Sequence, residues 1–507
     1  MTYTLKMQLS ALAGSLGGVL PEFVLVGTFC MMLVAELVVG KKVKWAVPGI
    51  GLAGLVVTSL LVLELGQWSG EGRPVQSNSF LGMIRPDGFG RSFHLLFDLA
   101  AFLTILISIR SVQLRNQARG TGEYFIILLS MVVGMHFMSM ASNLLMMYLA
   151  LEMVSLPSYL LTAYTRLNGK SAEAALKYVI YGSFSSGIML YGISWLYGLT
   201  GTLDPTDPAF ATGIAAAEGW PLFFILTLIL GGFFFKISAL PFHFWAPDVY
   251  EGAPYPIAAF FSVAPKAAGF AMLIRFLALF PMDDALQSQL TWVLAAVAIG
   301  SMFLGNLAAL RQEHFRRMLA YSSIAQAGYM LVGVLCFTEL GMAATLFYLA
   351  VYFCMNFSAF LMAGWLGEQM GMEKIDDLKG LANGMPLLAV LAVLFMVALT
   401  GLPPTAGFIG KAELFLAGLD QYQAGGHPGI MVAMISMLLN TVISLFYYLR
   451  IPSRMIFQNS PNKSLHRFHG LAPVISVVLA VPVLWLGILH FDALINFFRL
   501  LVLNLNG

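Results

Sequence analysis

The chain has 507 residues, 59% of them hydrophobic and only 10% charged, with a formal net charge of +2. Soluble globular chains carry roughly 25% charged residues, so this is the composition of a polytopic membrane protein with no globular domain left over. The near-neutral balance gives no basic field for nucleic acid. The absence of HExxH, GxSxG, Walker and dinucleotide-binding signatures removes hydrolytic, ATP-driven and nucleotide-binding chemistry from the chain itself.

The opening residues, MTYTLKMQLS, lack a long apolar stretch ahead of a cleavage site, so the first span is expected to remain as an anchor. A helix needs about 20 mostly apolar residues to cross the hydrocarbon core, and about fourteen stretches qualify on that criterion. They are 17–39, 44–64, 89–109, 122–141, 143–165, 172–199, 220–245, 253–281, 288–309, 314–336, 340–367, 385–419, 428–450 and 471–501. Pro241 interrupts span seven; Gly401, Pro403, Pro404 and Gly407 interrupt span twelve. Proline removes a backbone donor and clashes with the preceding turn, so both helices are predicted to break where they line a polar cavity. Broken helices five spans apart predict two inverted five-helix repeats, because an odd repeat length reverses topology. The predicted organisation is therefore 1–121 (spans one to three), 122–281 (first repeat), 288–450 (second repeat) and 451–507 (span fourteen).

Lys and Arg stay on the cytoplasmic side of short loops. Lys41, Lys42 and Lys44 follow span one; Arg110, Arg115 and Arg119 follow span three; Arg166 and Lys170 follow span five. Arg311, Arg316 and Arg317 follow span nine, Lys374 and Lys379 span eleven, and Arg450, Arg454, Lys463 and Arg467 span thirteen. The opposite loops are acidic or neutral, with Asp204, Asp207, Glu218, Asp283, Asp284 and Asp420; the exception, after span two, holds Arg73, Arg85 and Arg91. Both termini are thus expected on the outer side.

Cys30, Cys336 and Cys354 stand singly in apolar runs, so neither an iron–sulfur cluster nor a structural zinc site is expected in this chain. Any redox cofactor would sit elsewhere.

Against this background a few charges stand out, because an ammonium at membrane depth costs at least about 2.5 to 3.5 kcal/mol. Lys236 precedes the break in span seven, Lys266 lies about 20 Å from either end of a continuous span eight, and Lys411 follows the double proline of span twelve. Lys411 is expected to meet carbonyls freed by that break. Glu152 is the only acid in the body of span five, and Lys236 is its natural partner. Lys177 follows Glu173 by four residues, the favourable order for an ordinary helix surface pair, and reads equally as structural or functional. His243, two residues after Pro241, could relay a proton between Lys236 and Lys266 or simply be a satisfied polar residue. Arg275 is expected to snorkel from the outer end of span eight. Asp98 and Glu36 are acids in apolar surroundings that could sit near an interface.

The blocks SAEAALKYVIYGSFSSGIMLYGISWLYGLTGT, GGFFFKISALPFHFWAPDVYEGAPYPIAAFFSVAPKAAGFAML, RRMLAYSSIAQAGYML and LTGLPPTAGFIGK closely resemble the antiporter-like membrane subunits of proton-pumping NADH:quinone oxidoreductase, respiratory complex I. The resemblance runs from about residue 120 to 450 with the blocks in family order. It implies a fourteen-helix fold with two inverted repeats. It also implies proton-transfer roles for Glu152, Lys177, Lys236, His243, Lys266 and Lys411. A lysine rather than a glutamate at 411 resembles subunits N and L, and the lack of a long lateral helix after span fourteen points to N. The family further implies neighbouring antiporter-like and small membrane subunits, lipids, and a peripheral redox arm holding FMN and iron–sulfur clusters, with quinone bound in partner subunits. The setting implied is a bacterial plasma membrane.

The mechanism expected is proton translocation without electron transfer in this chain. Closing of Glu152 on Lys236 would hold the ammonium, and opening would drive its proton along the polar axis toward Lys266 and Lys411. An Mrp-type sodium/proton antiporter would show nearly the same lysines, and a structural connector would use them only to fix helix packing.

Overall fold

A computed structural model describes residues 12–38, 43, 45–65, 79–80, 82–115, 121–165, 169–217, 219–280, 283–459, 468–489, 491–503 and 505. Lys41, Lys42, Lys44, Arg73, Arg119, Arg166, Glu218, Lys463 and Arg467 lie outside them.

The described residues form an all-α bundle. We number its principal helices α1 (Leu20–Val38), α2 (Ala46–Leu65), α3 (Gly88–Ser108), α4 (Gly122–Met140), α5 (Leu144–Thr162) and α6 (Gly169–Thr200). Next come α7 (Trp220–Ile237), α8 (Trp245–Gly252), α9 (Tyr255–Phe261), α10 (Ala264–Leu279), α11 (Asp284–Leu310), α12 (Phe315–Val334) and α13 (Glu339–Met370). The chain continues through α14 (Pro386–Thr400), α15 (Ala406–Gln423), α16 (Pro428–Phe457), α17 (Leu471–Ile488) and α18 (Phe491–Leu503). Each sequence-derived span falls on one helix or on an interrupted pair.

By length and composition alone, 12 helical stretches among the described residues are apolar enough to cross a membrane. The spans that this criterion leaves out are the informative ones. One is the interrupted α14–α15 pair. The other is α12, which buries Ser322, Ser323 and Gln326 in place of apolar side chains. A helix with a polar stripe facing inward loses hydropathy because it lines something polar. By contrast α9–α10 is buried throughout and α13 nearly so, which places them at the centre. The exposed surface is apolar too, as in Leu176, Ile180 and Phe184 of α6.

Both proline sites break their helices. After α7, Ser238 caps the end in a left-handed conformation, and the chain stays non-helical to Phe244 before α8 begins. Between α14 and α15, Gly401 (φ +86°) ends the first half and residues 402–405 separate it from the second.

Span eight departs from expectation. It is interrupted at Ser262–Val263, between α9 and α10, so Lys266 lies in the first turn of α10 and not in the middle of an unbroken helix. Pro265 at the second position of α10 suits a helix start, where its missing N–H costs no hydrogen bond.

Candidate functional site

The three buried ammonium groups occupy three different environments. Lys236, in the last turn of α7, is 2% exposed, and its Nζ donates to Ser155 Oγ at 3.2 Å. Ser155 lies one turn beyond Glu152 on α5. Glu152 is half-buried and its charge acts on Lys236, yet among the described residues no carboxylate oxygen comes within 4.0 Å of the ammonium. The acid–lysine pair is open in this structure. Gly269 of α10 packs against the Lys236 stem so closely that a Cβ there would sit 3.3 Å from Lys236 Cβ and Cγ.

Lys266 Nζ donates to both the carbonyl and the hydroxyl of Ser323 on α12, at 2.8 and 2.7 Å, and lies 5.8 Å from the Tyr250 ring centroid. No acid pairs with it among the described residues.

Lys411 behaves as its position after the break suggested. Its Nζ reaches back to the last carbonyls of α14, Thr400 at 2.8 Å and Leu399 at 3.2 Å, and stands 4.3 Å from the Tyr329 ring centroid. A helix C-terminus leaves unsatisfied carbonyls and a partial negative charge, both of which favour a cation.

Helix α12 presents polar side chains to both of the last two lysines, Ser323 to Lys266 and Gln326 to the carbonyl used by Lys411. Gln326, one turn after Ser323 on α12, donates to Leu399 O at 3.0 Å, the carbonyl that also accepts from Lys411. Its amide nitrogen also donates to Tyr448 OH at 3.0 Å, and its amide oxygen accepts from Tyr348 OH. Beyond it, Asn306 donates to Tyr329 OH and Asn440 Oδ1 and accepts from Tyr447 OH. Reasoning from charges alone missed Gln326 and Asn306, because uncharged polar residues are cheap enough in membrane helices to pass unremarked. The run YSSIAQ inside an apolar span was the available signal.

His243 lies in the segment between α7 and α8, 2% exposed, with Nδ1 lacking a hydrogen-bond partner among the described residues. It stacks near Phe244 and hydrogen-bonds to neither neighbouring lysine. Lys177 forms the expected pair with Glu173 at 2.7 Å and a second with Asp248 at 2.8 Å. Asp248 also binds Arg317 at 2.7 Å, Arg317 binds Glu251 at 2.9 Å, and Glu251 binds Lys170 at 3.1 Å. This network ties α6 and α8 to α12 at one end of the bundle. Burial alone would raise the carboxyls of Asp248 and Glu251, but hydrogen bonds from Lys177, Arg317 and Lys170 outweigh it and hold both below their ordinary range.

Two other charges are not where the sequence suggested. Arg275 does not snorkel: it is fully buried and clamps Asp87 with two hydrogen bonds of 2.8 Å. Asp98 is 1% exposed and bound to His136 and Ser59, far from an interfacial setting. Arg91 is buried and Arg85 turns to Asp87 at 3.9 Å, so two of the three basic residues that broke the loop pattern face inward; the third, Arg73, lies outside the described residues.

Residues 141–444 match the family model described as NADH:quinone oxidoreductase/Mrp antiporter, transmembrane. The chain is 42% identical to NADH-quinone oxidoreductase subunit N 2 of Chloroherpeton thalassium, covering 91% of this chain and 89% of the relative. This chain belongs to the NADH:quinone oxidoreductase/Mrp antiporter membrane-subunit family. It is 41% identical to NAD(P)H-quinone oxidoreductase subunit 2 of Thermosynechococcus vestitus, over 90% of this chain and 86% of that one. Among solved structures, a chain of respiratory complex I from Thermus thermophilus with bound aureothin superposes with a TM-score of 0.75 at 31% identity, covering 94% of this chain and 98% of that one. A chain of the Mrp complex from a Dietzia species shares the fold, with a TM-score of 0.75 at 23% identity, covering 97% of each chain. These solved chains share the overall fold of this one.

Proposed function

We propose that this chain is the N-type proton-translocating membrane subunit of an NADH:quinone oxidoreductase, with Glu152, Lys236, Lys266 and Lys411 as successive proton stations. The identity of about two residues in five with subunit N relatives, over almost the whole length of both, favours this reading over an Mrp-type exchanger, for which the likeness is one of fold. The observation that carries the mechanism is the row of buried ammonium groups held by polar partners: Lys236 on Ser155, Lys266 on Ser323, and Lys411 on Leu399 O, a carbonyl that Gln326 of the Ser323 helix also reaches.

The protons that move are those of the ammonium groups; the hydroxyls, the Gln326 amide and the carbonyls orient them. Cys30, Cys336 and Cys354 are free thiols in separate segments and do not make a ligand set for an iron–sulfur cluster. On this reading FMN, iron–sulfur clusters and quinone are assigned to partner subunits, and this chain contributes charge movement. With the Glu152–Lys236 pair open, the Lys236 ammonium is left with a single hydroxyl acceptor. Its proton is then the most readily released toward Lys266. Closing the pair restores a counter-charge and holds the proton. His243 and Lys177 are the candidates for proton supply, Lys177 through its link to Asp248. The two repeats are 122–281 and 288–450, the basic loops face the cytoplasm, and both termini face the outside of a bacterial plasma membrane.

Replacing Lys236 with Met in the complete complex, reconstituted into liposomes, tests this. The expected result is loss of proton translocation with the complex still assembled; unchanged translocation would refute the mechanism.

A further inference from the structure

Outside the lysine row, α1, α3 and α4 bring four titratable side chains into one buried group. His136 Nδ1 lies 3.1 Å from Glu22 Oε1, and its Nε2 lies 3.1 Å from Asp98 Oδ1. Ser59 of α2 donates to the other Asp98 oxygen at 3.1 Å. The His94 ring stacks on that of His136, centroids 3.8 Å apart and 13° from parallel. Its Nε2 is 3.3 Å from the His136 carbonyl oxygen and its Nδ1 is 3.3 Å from Glu22 Oε1. None of the four residues is more than 2% exposed.

Hydrogen-bond chemistry fixes how many protons this arrangement needs. A neutral imidazole has one N–H and one lone pair. His136 faces a carboxylate oxygen on both sides, so either it is an imidazolium or one carboxyl is protonated. The group already holds one proton beyond two carboxylates and a neutral ring. His94 must carry its own proton on Nε2, because the carbonyl it faces can only accept. That leaves His94 Nδ1 and Glu22 Oε2 as buried atoms with no hydrogen-bond partner among the described residues. Two unmet acceptors on adjacent residues can share one further proton. Glu22, His94 and His136 also bring one ligand atom each within 4.8 Å of one another, so a bound metal ion is the rival that the test below separates.

We propose that Glu22, His94, Asp98 and His136 form a proton-exchanging site in the amino-terminal helices, additional to the lysine row. A proton arriving from water forms a bond to His94 Nδ1 or Glu22 Oε2 and leaves by the reverse step, with no electron transferred. The surrounding charges are Arg91 of α3, which acts on Glu22 and His94, and Arg275 of α10, which acts on His94 while bound to Asp87; Arg85 approaches Asp87 in turn. These arginines offset the carboxylates and make a variable proton count tolerable. The site is also joined to the lysine row. Helix α10 carries Lys266 at its start and Arg275 near its end, and Arg275 Nε donates to Ser139 O at 2.8 Å. Ser139 in turn donates to the His136 carbonyl at 2.9 Å, and Asp87 caps α3 through Gly90 N–H. A shift of α10 when Lys266 changes charge is transmitted to both histidine-bearing helices. The use made of the proton rests on the translocation reading above; the exchange itself does not.

The test uses the complete complex in liposomes, unmodified and carrying His136→Gln or Asp98→Asn, with infrared difference spectra recorded between two pH values and proton translocation measured on the same samples. Glutamine keeps neutral hydrogen bonding but accepts no proton. The expected result is loss of the pH-induced imidazole and carboxyl bands together with reduced translocation. Asp98→Asn, nearly isosteric, gives the same direction if His136→Gln fails to assemble. Bands unchanged from the unmodified complex would overturn the proposal, as would one equivalent of tightly held metal released by either substitution. If Lys236→Met pumps normally while His136→Gln loses its bands, the lysine row falls and this site stands.

Discussion

Lys236 and Lys411 stand beside the breaks at Pro241 and at Pro403–Pro404, yet they meet opposite ends of the local machinery. Lys411 follows its break and reaches back to two main-chain carbonyls at the end of α14. Lys236 precedes its break, belongs to the terminal turn itself, and finds one side-chain hydroxyl. Main-chain acceptors are fixed by the fold, whereas a hydroxyl and a distant carboxylate can be moved. On the translocation reading proposed above, the α7 lysine is placed to let its proton go and the α15 lysine to retain one. The difference comes from which side of a proline each lysine occupies.

The sharpest way to break this contrast is Ser155→Ala. It removes the hydrogen-bond acceptor that the Lys236 ammonium has among the described residues and costs about 1.5–3 kcal/mol, as expected for a hydrogen bond to a charged group. Translocation should fall steeply, and thermal unfolding of the solubilised subunit should show the lost stability. Truncating the side chain of an acceptor residue cannot do the same to Lys411, whose acceptors are main-chain carbonyls.

A backbone change can. Gly401 has φ +86°, and a Cβ there would sit 2.7 Å from Lys411 Cδ. Gly401→Ala forces strain of about 1–3 kcal/mol and displaces the ammonium from Thr400 O. Reduced translocation and a lower melting temperature are expected, and neither would change if the close approach were incidental.

The smallest effect lies at the charged end of the bundle. A carboxylate held below its ordinary value contributes stability that is complete above that value and disappears as pH falls through the depressed one. For Asp248 and Glu251 the loss therefore begins only below about pH 4, the ordinary carboxylate value. Asp248→Asn should lower stability at neutral pH by about 0.2–1 kcal/mol, the worth of exposed pairs, and shrink the loss on acidification. Melting curves at neutral and acidic pH check this.

Much of the fold was legible because its strongest determinants are local: about 20 apolar residues make a span, and Pro241 and Pro403–Pro404 mark the breaks. The three lysines were legible because charge in lipid is conspicuous. The break at Ser262–Val263 was not, since Pro265 reads as an interior proline until one sees that it opens α10. Arg275 was misread because snorkelling is the default for a basic residue near a helix end; its partner Asp87 lies 188 residues away in sequence. The Glu22–His94–Asp98–His136 group was hidden for the same reason, being assembled from three separate helices.

The central claim is that Lys236, Lys266 and Lys411 act in series. Proton translocation should be measured in liposomes containing complexes with each lysine replaced singly by Met, and with all three replaced together. A serial path predicts that each single replacement lowers translocation as far as the triple one, because residues acting as a unit are not additive. Single losses that sum to the triple loss, or a single replacement without effect, would contradict it.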